Sequence, residues 1–177
     1  MKLTHHTDEP FRLNRKRTYE QTSRQHKPHG LWLAVDDDWR RWCESEEFAL
    51  ERLVVNYGMT IVPDANVLHL KTPEDLYDFT EIYGLGHWHV NWPLIAMQYA
   101  GIVIAPYQWS CRLNTRTDWY YPWDCASACI WDLSVIKSKT RLPDTPVPAD
   151  YKKGSVLTFD SEAFTKLVRE GMQLLNP

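Results

Sequence analysis

The residues best suited to chemistry lie in Trp119-Tyr-Tyr-Pro-Trp-Asp124, where four aromatic rings surround one acid. Trp and Tyr rings offer planar faces and polar tips. Beside a carboxylate they suit a pocket that stacks a flat ring and holds a charge. The alternative reading of the same stretch is an aromatic mini-core with Asp124 exposed at a turn. Two other stretches carry complementary groups. Leu3-Thr-His-His-Thr7 offers an imidazole pair and a hydroxyl, with His5 and Thr7 on one face of a short strand. Lys27-Pro-His-Gly-Leu-Trp-Leu33 sets Gly30, which permits close backbone approach, beside the ring of Trp32. An imidazole, an aromatic platform and a lone acid are what cleavage of a dinucleotide's glycosidic bond requires. The ring stacks, the imidazole fixes a ribose hydroxyl, and the acid steadies an oxocarbenium-like charge.

Composition bounds the setting. A chain of 177 residues with 44% hydrophobic and 24% charged residues fits one soluble globular domain, residues 1–177. Nine Trp point to ring-stacking surfaces or a tight aromatic core. The formal net charge of −3 gives no general attraction to nucleic acid or acidic membranes. Residues 12–29 depart from that average, with six Lys/Arg against the single acid Glu20. This basic loop is a candidate phosphate or nucleic-acid contact, or else a solvated loop. Cys43, Cys111, Cys125 and Cys129 form no zinc pattern, and His87 and His89 lack partners, so no metal is expected. The N-terminus lacks a signal core and no apolar run spans a bilayer. A cytoplasmic protein with reduced thiols is expected, as a monomer or small homo-oligomer without membrane partners.

These groups need elements to position them. Strands are expected at residues 2–7, Gly30–Val35, Met59–Val62, Asn66–Leu70, Gly101–Pro106 and Ala126–Trp131. An amphipathic stripe predicts a helix from about Asp37 to Tyr57, stopped by Gly58, with the acids at its start complementing its dipole. Thr72-Pro-Glu-Asp75 carries the capping pattern of a helix running to about Tyr83. Asn91-Trp-Pro opens another, to about Ala100. Residues 138–154 read as a surface connection, Ser155–Phe159 as a terminal strand or loop, and Ser161–Leu175 as a C-terminal helix. Strands without strict βα alternation predict an α+β domain with a twisted, mostly antiparallel sheet. Neither a glycine-rich phosphate loop nor a Gly-x-Ser-x-Gly elbow is present.

The layout of several motifs resembles ADP-ribosyltransferase-like domains. They are the N-terminal His-x-Thr, Lys-Pro-x-Gly-Leu-Trp before a helix, Tyr99-Ala-Gly-Ile-Val-Ile104, and Ala128-Cys-Ile-Trp-Asp-Leu-Ser-Val-Ile136. The resemblance covers roughly residues 1–137 and implies a split antiparallel sheet and NAD as substrate, without a metal. The acceptor would be a protein or nucleic acid, as in toxin or bacteriophage modifying enzymes. It casts His5 and Asp124 as catalytic. His5 would hold the adenosine-side ribose, with Thr7, Gly30, Trp32, Trp39 and Tyr121 also around the NAD. Tyr121 and Trp123 would shape the acceptor side. Two positions depart from the family pattern: Asp124 stands where a Glu is usual, and Ala34 where a Ser is usual. A non-enzymatic module binding nucleic acid or protein through its aromatic and basic groups is the alternative. A His-based phosphoesterase fits less well, because it needs two His-x-Thr/Ser motifs and only His5-His-Thr7 qualifies.

Overall fold

The computed structural model describes residues 1–86 and 88–151. The expected strand or loop at Ser155–Phe159 and the expected helix at Ser161–Leu175 lie outside the described residues. Among the described residues, nine strands run in chain order: β1 (Leu3–Thr7), β2 (Ser23–Gln25), β3 (Leu31–Val35), β4 (Val55–Ile61), β5 (Val67–Leu70), β6 (Val90–Asn91), β7 (Gly101–Ile104), β8 (Ser127–Ile130) and β9 (Ile136–Arg141). Helices α1 (Asp38–Ser45), α2 (Pro73–Tyr83), α3 (Trp92–Ala96) and α4 (Trp109–Arg112) connect them. Seven strands form one curled sheet in the order β5-β7-β8-β3-β1-β4-β9, with β2-β6 a separate two-stranded ribbon. Every pairing is antiparallel except β5 with β7. The domain is therefore α+β with a mostly antiparallel sheet, as expected.

The central strands are apolar on both sides because both sides are covered. Ile102 and Ile104 of β7 meet Leu76, Phe79 and Ile95 from α2 and α3, together with Trp119, Tyr120 and Trp123. Val103 points the other way, into a layer with Leu31, Leu33, Val35, Ala128 and Ile130. The start of α2 follows from local chemistry. Thr72 Oγ1 accepts from the Asp75 N–H at 3.1 Å, and Asp75 Oδ2 accepts from the Thr72 N–H at 3.0 Å, a reciprocal capping box. Asn91 caps α3, which ends at Ala96 rather than near Ala100. Among the described residues, no helix is long and apolar enough to cross a membrane.

The expected helix over residues 37–57 is corrected. α1 stops at Ser45, Glu47 and Ala49 adopt left-handed φ of 48° and 49°, and a 3-10 turn at Leu50–Leu53 leads into β4. Val55, Tyr57 and Met59 repeat at two-residue spacing and are buried. That register gives β1 a partner along its whole length, so tertiary pairing overrides the helical stripe. Gly58 lies within a strand opposite Thr4 and Thr140 and stops no helix. The surface connection expected from residue 138 begins later, because residues 138–141 complete β9 on the edge of the sheet. Lys and Arg at an edge are compatible with a strand there, since they discourage further pairing. The basic segment 12–29 contains β2 and is held against the sheet. Lys139 Nζ donates to Phe11 O at 2.7 Å, Arg15 donates to Lys137 O at 2.6 Å, and Tyr19 N–H donates to Trp131 O at 2.8 Å.

One feature of the sheet creates the site. β1 pairs with β4 over five residues, yet with β3 only at Leu3↔Val35 and Thr4↔Ala34. Beyond Thr4 the two central strands diverge, and the sheet forks.

Candidate functional site

The fork opens a cavity of about 310 Å³. Thr4, Ala34 and Ser127 line it from β1, β3 and β8, and are almost fully buried. His5, His6 and Trp32 stand on the diverging limbs. Trp39 closes one side from α1, its ring stacked on Trp42 at 5.0 Å. Phe48 and Ala49, beside the left-handed turns that end α1, and Arg52 form the rim. Lys27, Asp124 and Cys125 complete it from the opposite side.

Asp124 is held by the aromatic layer behind it. Trp123 N–H donates to Tyr120 O at 2.9 Å, Tyr107 OH donates to Trp123 O at 2.5 Å, and the Trp123 ring meets Trp32 edge-on at 4.9 Å. These contacts fix the residue before Asp124 and leave its carboxylate facing the cavity. Burial pushes the Asp124 carboxyl up from the ordinary range, while Lys27 and Arg112 pull it down. Arg112 Nη2 lies 3.4 Å from Asp124 Oδ1, a long ion pair between partly exposed side chains. Burial lowers the pKa of Lys27, and the nearby Asp124 charge raises it. Lys27 Nζ also sits 5.1 Å from the Trp32 ring centroid. An acid, a cation and an indole thus share one wall, with Arg112 paired to the acid.

The two histidines face differently. His5 Nδ1 is 2.9 Å from Trp32 O. A carbonyl only accepts, so Nδ1 carries the proton and neutral His5 presents Nε2 as an acceptor. His6 Nδ1 donates to Asn56 Oδ1 at 2.5 Å, and Asn56 is itself oriented by donating to Thr145 Oγ1 at 3.0 Å. His6 Nε2 is buried with no hydrogen-bond partner among the described residues. Burial lowers the pKa of both imidazoles, and Lys139 and Arg40 respectively lower them further. Both rings are therefore neutral near pH 7. Burial pushes the Cys125 thiol up to about 12, so no thiolate nucleophile is available there.

A second lobe of about 300 Å³ shares His5 and Trp32 with the first. Its walls include Arg12, Asn14, Arg17, Tyr19 and Gly30. The Arg17 guanidinium lies 4.0 Å from the Tyr19 ring centroid. Gly30 is required by close approach. A Cβ there would stand 2.6 Å from Cys129 Sγ and 2.7 Å from Ile130 O.

The structure brings His5, Trp32, Trp39 and Asp124 around one cavity. Gly30 lines the second lobe instead. Two expected positions lie elsewhere. Tyr121 is 44% exposed and packs edge-on against Trp88, because the turn that buries Trp119, Tyr120 and Trp123 directs it outward. Thr7, at the far end of β1, is engaged locally with Asp8 and Glu9 and lines neither lobe. The sequence reading missed Arg52 and Ser127, preferred His5 to its neighbour His6, and named Lys27 only as part of the Lys27-Pro-His-Gly-Leu-Trp stretch and the basic loop. Strand alternation from the Thr4↔Ala34 pair puts His6 on the side of Ala34 and Trp32, but that register is invisible in the sequence. Ser127 pairs across the strands with Ala34 and returns a hydroxyl to the place where Ala34 has none. Among the described residues, no group of three or more His, Cys, Asp or Glu is arranged to hold a metal ion. No family model, curated protein or solved structure matches the chain.

Proposed function

We propose that this chain transfers ADP-ribose from NAD to a macromolecular acceptor, as an ADP-ribosyltransferase-like domain would. The observation that carries the reading is the fork between β1 and β3, where His5, Trp32, Trp39 and Asp124 meet in one cavity. A second, basic pocket shares His5 and Trp32 in its lining. Two pockets of comparable size on either side of His5 and Trp32 suit the two halves of a dinucleotide, which are linked by a charged pyrophosphate.

The nicotinamide half takes the lobe that holds Asp124, with its ring against Trp32 or Trp39. Breaking the C1′–N bond sends the bonding pair to nicotinamide, which leaves neutral, and positive charge develops on the ribose. Asp124 stabilises that charge, and Lys27 and Arg112 favour the ionised carboxylate it needs. His5 Nε2 accepts a hydrogen bond from the adenosine-side ribose. Ser127, whose hydroxyl donates to Cys125 O at 2.9 Å, offers its oxygen as an acceptor toward the nicotinamide side, in place of the missing Ser at position 34. The adenosine half lies along Tyr19, Arg12 and Arg17.

The test is nicotinamide release from labelled NAD, with and without protein and nucleic-acid acceptors. Asp124→Asn is expected to slow release by roughly 10²–10³-fold, the usual cost of removing one preorganised charge-stabilising group. NAD affinity should persist in that variant. No release by the unaltered chain under any acceptor condition overturns the reading.

A further inference from the structure

Beside the fork cavity lies an open depression of about 400 Å³, lined by Arg24, Gln25, His26, Lys27, His89 and Pro122. Lys27 belongs to both, so the depression adjoins the wall that carries Asp124. We infer that this surface binds single-stranded nucleic acid and presents an unpaired base to the fork cavity as the acceptor. The acceptor role rests on the function proposed above; the binding itself does not.

Its chemistry favours stacked bases and phosphates. Among the described residues, the lining holds two cations, two imidazoles and an amide, with Pro122 as its single aliphatic side chain and no carboxylate. An apolar peptide side chain finds only Pro122 to pack against there, whereas an anion finds donors. Rings stand around it. Trp88 is 40% exposed, with Tyr121 at 5.7 Å and His26 at 5.6 Å between centroids. His26 and His89 lie nearly parallel at 6.0 Å. Arg112 sits 5.7 Å from the Tyr121 ring centroid and 3.4 Å from Asp124, bridging the exposed rings to the acid. The nearby acid Asp118 is engaged, accepting the Trp88 N–H at 3.2 Å. Aromatic faces with neighbouring cations are the pattern that holds single strands, since only unpaired bases expose their faces for stacking.

The backbone supports the same assignment. Arg24 and Trp88 both adopt left-handed φ, at 66° and 69°. For a bulky residue this conformation is unfavourable, and such outliers gather where a side chain must be displayed. One strained residue displays a cation and the other a ring, on the two halves of the β2–β6 region.

In the proposed transfer, a base nitrogen supplies the electron pair for the new bond to C1′. Nicotinamide leaves with the pair from the broken bond, and the base's displaced proton passes to solvent.

The strain also supplies clean variants. Glycine adopts left-handed φ without steric cost, so Trp88→Gly and Arg24→Gly remove the recognition group while relieving the backbone. Binding of a labelled single-stranded oligonucleotide to the full chain, followed by fluorescence anisotropy without NAD, reads the inference directly. The unaltered chain should prefer the single strand over the matching duplex. About three phosphate contacts should weaken binding roughly twentyfold for a fourfold rise in salt. Trp88→Gly should lower affinity by roughly tenfold or more at an unchanged or higher melting temperature, and Trp88→Phe should restore most of it. Arg24→Gly should flatten the salt dependence by about one phosphate contact. Absence of single-strand binding, equal binding of duplex or of an acidic peptide, or full affinity in both glycine variants overturns the inference. Oligonucleotide binding without nicotinamide release from NAD would sink the proposed reaction but leave this surface standing. Release without oligonucleotide binding would do the reverse.

Discussion

Trp123 and Trp32 touch, ring to ring at 4.9 Å, yet they belong to different kinds of region. Trp123 is fully buried, enclosed by Trp32, Trp119 and Tyr120. Trp32 is backed by that layer on one side, with the Lys27 cation 5.1 Å from its ring and a cavity beside it. The aromatic layer holds the wall in place, and the wall is what a ligand meets. Residue type and spacing do not separate the two roles. The count of faces already covered by other rings does.

The largest expected effect breaks that comparison at the buried layer. Trp123→Ala should destabilise the fold by about 3–5 kcal/mol, through lost transfer energy and the cavity left behind. Trp32→Ala should cost distinctly less in a denaturant titration but abolish nicotinamide release. If the two substitutions destabilise equally, the division between supporting and ligand-facing rings fails. A sharper version uses the indole nitrogen. Trp123 Nε1 is buried without a partner, whereas Trp92, Trp119 and Trp131 donate to Gln25 O, Thr80 Oγ1 and Tyr99 O. Trp123→Phe removes an unsatisfied donor and keeps a ring, so it should be tolerated far better than Ala.

Next in size is Gly30→Ala. The added methyl would collide with Cys129 Sγ and Ile130 O, pushing β3 away from β8. Overpacking of this kind costs about 1–3 kcal/mol. Because β3 carries Trp32, the variant should also weaken NAD binding, measurable by titration calorimetry. Unchanged stability would mean that β3 and β8 can separate without penalty.

What the sequence revealed and what it concealed divide along the same line. The capping box at Thr72, the apolar runs that become β7 and β8, and the close approach at Gly30 are local, and local chemistry sufficed to read them. The convergence of His5, Trp32, Trp39 and Asp124 was also legible as residue types. Register was not. Whether His5 or His6 shares the side of Trp32 depends on the pairing of Thr4 with Ala34, which separates two strands by nearly thirty residues of chain. The stripe over residues 39–57 satisfied a helical period and a strand period together. Only the need of β1 for a partner decides between them. Arg52 and Ser127 reach the cavity from a turn and a neighbouring strand, and nothing in their local sequence marks them.

A smaller effect serves as a control away from the fork. Thr72→Ala removes the hydroxyl that caps α2 and should cost about 1 kcal/mol, with no change in NAD or oligonucleotide binding. A change in either affinity would tie α2 to the site, against its position behind the aromatic layer.

The smallest expected effect concerns pH. His5 and His6 titrate below the ordinary imidazole value, chiefly through burial. A depressed imidazole pKa means that the folded state binds fewer protons than the unfolded chain, so their neutral forms favour folding above about pH 6.5. That contribution is lost as pH falls from about 6.5 through the lower folded pKa values. Asp124 works in the opposite sense, because its raised carboxyl pKa makes the folded state the better proton binder at lower pH. Melting temperature should therefore decline on mild acidification before the Asp124 carboxyl begins to offset it. His5→Gln keeps a group able to donate to Trp32 O but has no proton to gain. Its melting temperature should depend less steeply on pH across that interval. An equal slope in the variant would place the pH sensitivity on His6, whose Nδ1 is tied to Asn56, and not on the imidazole that braces the fork.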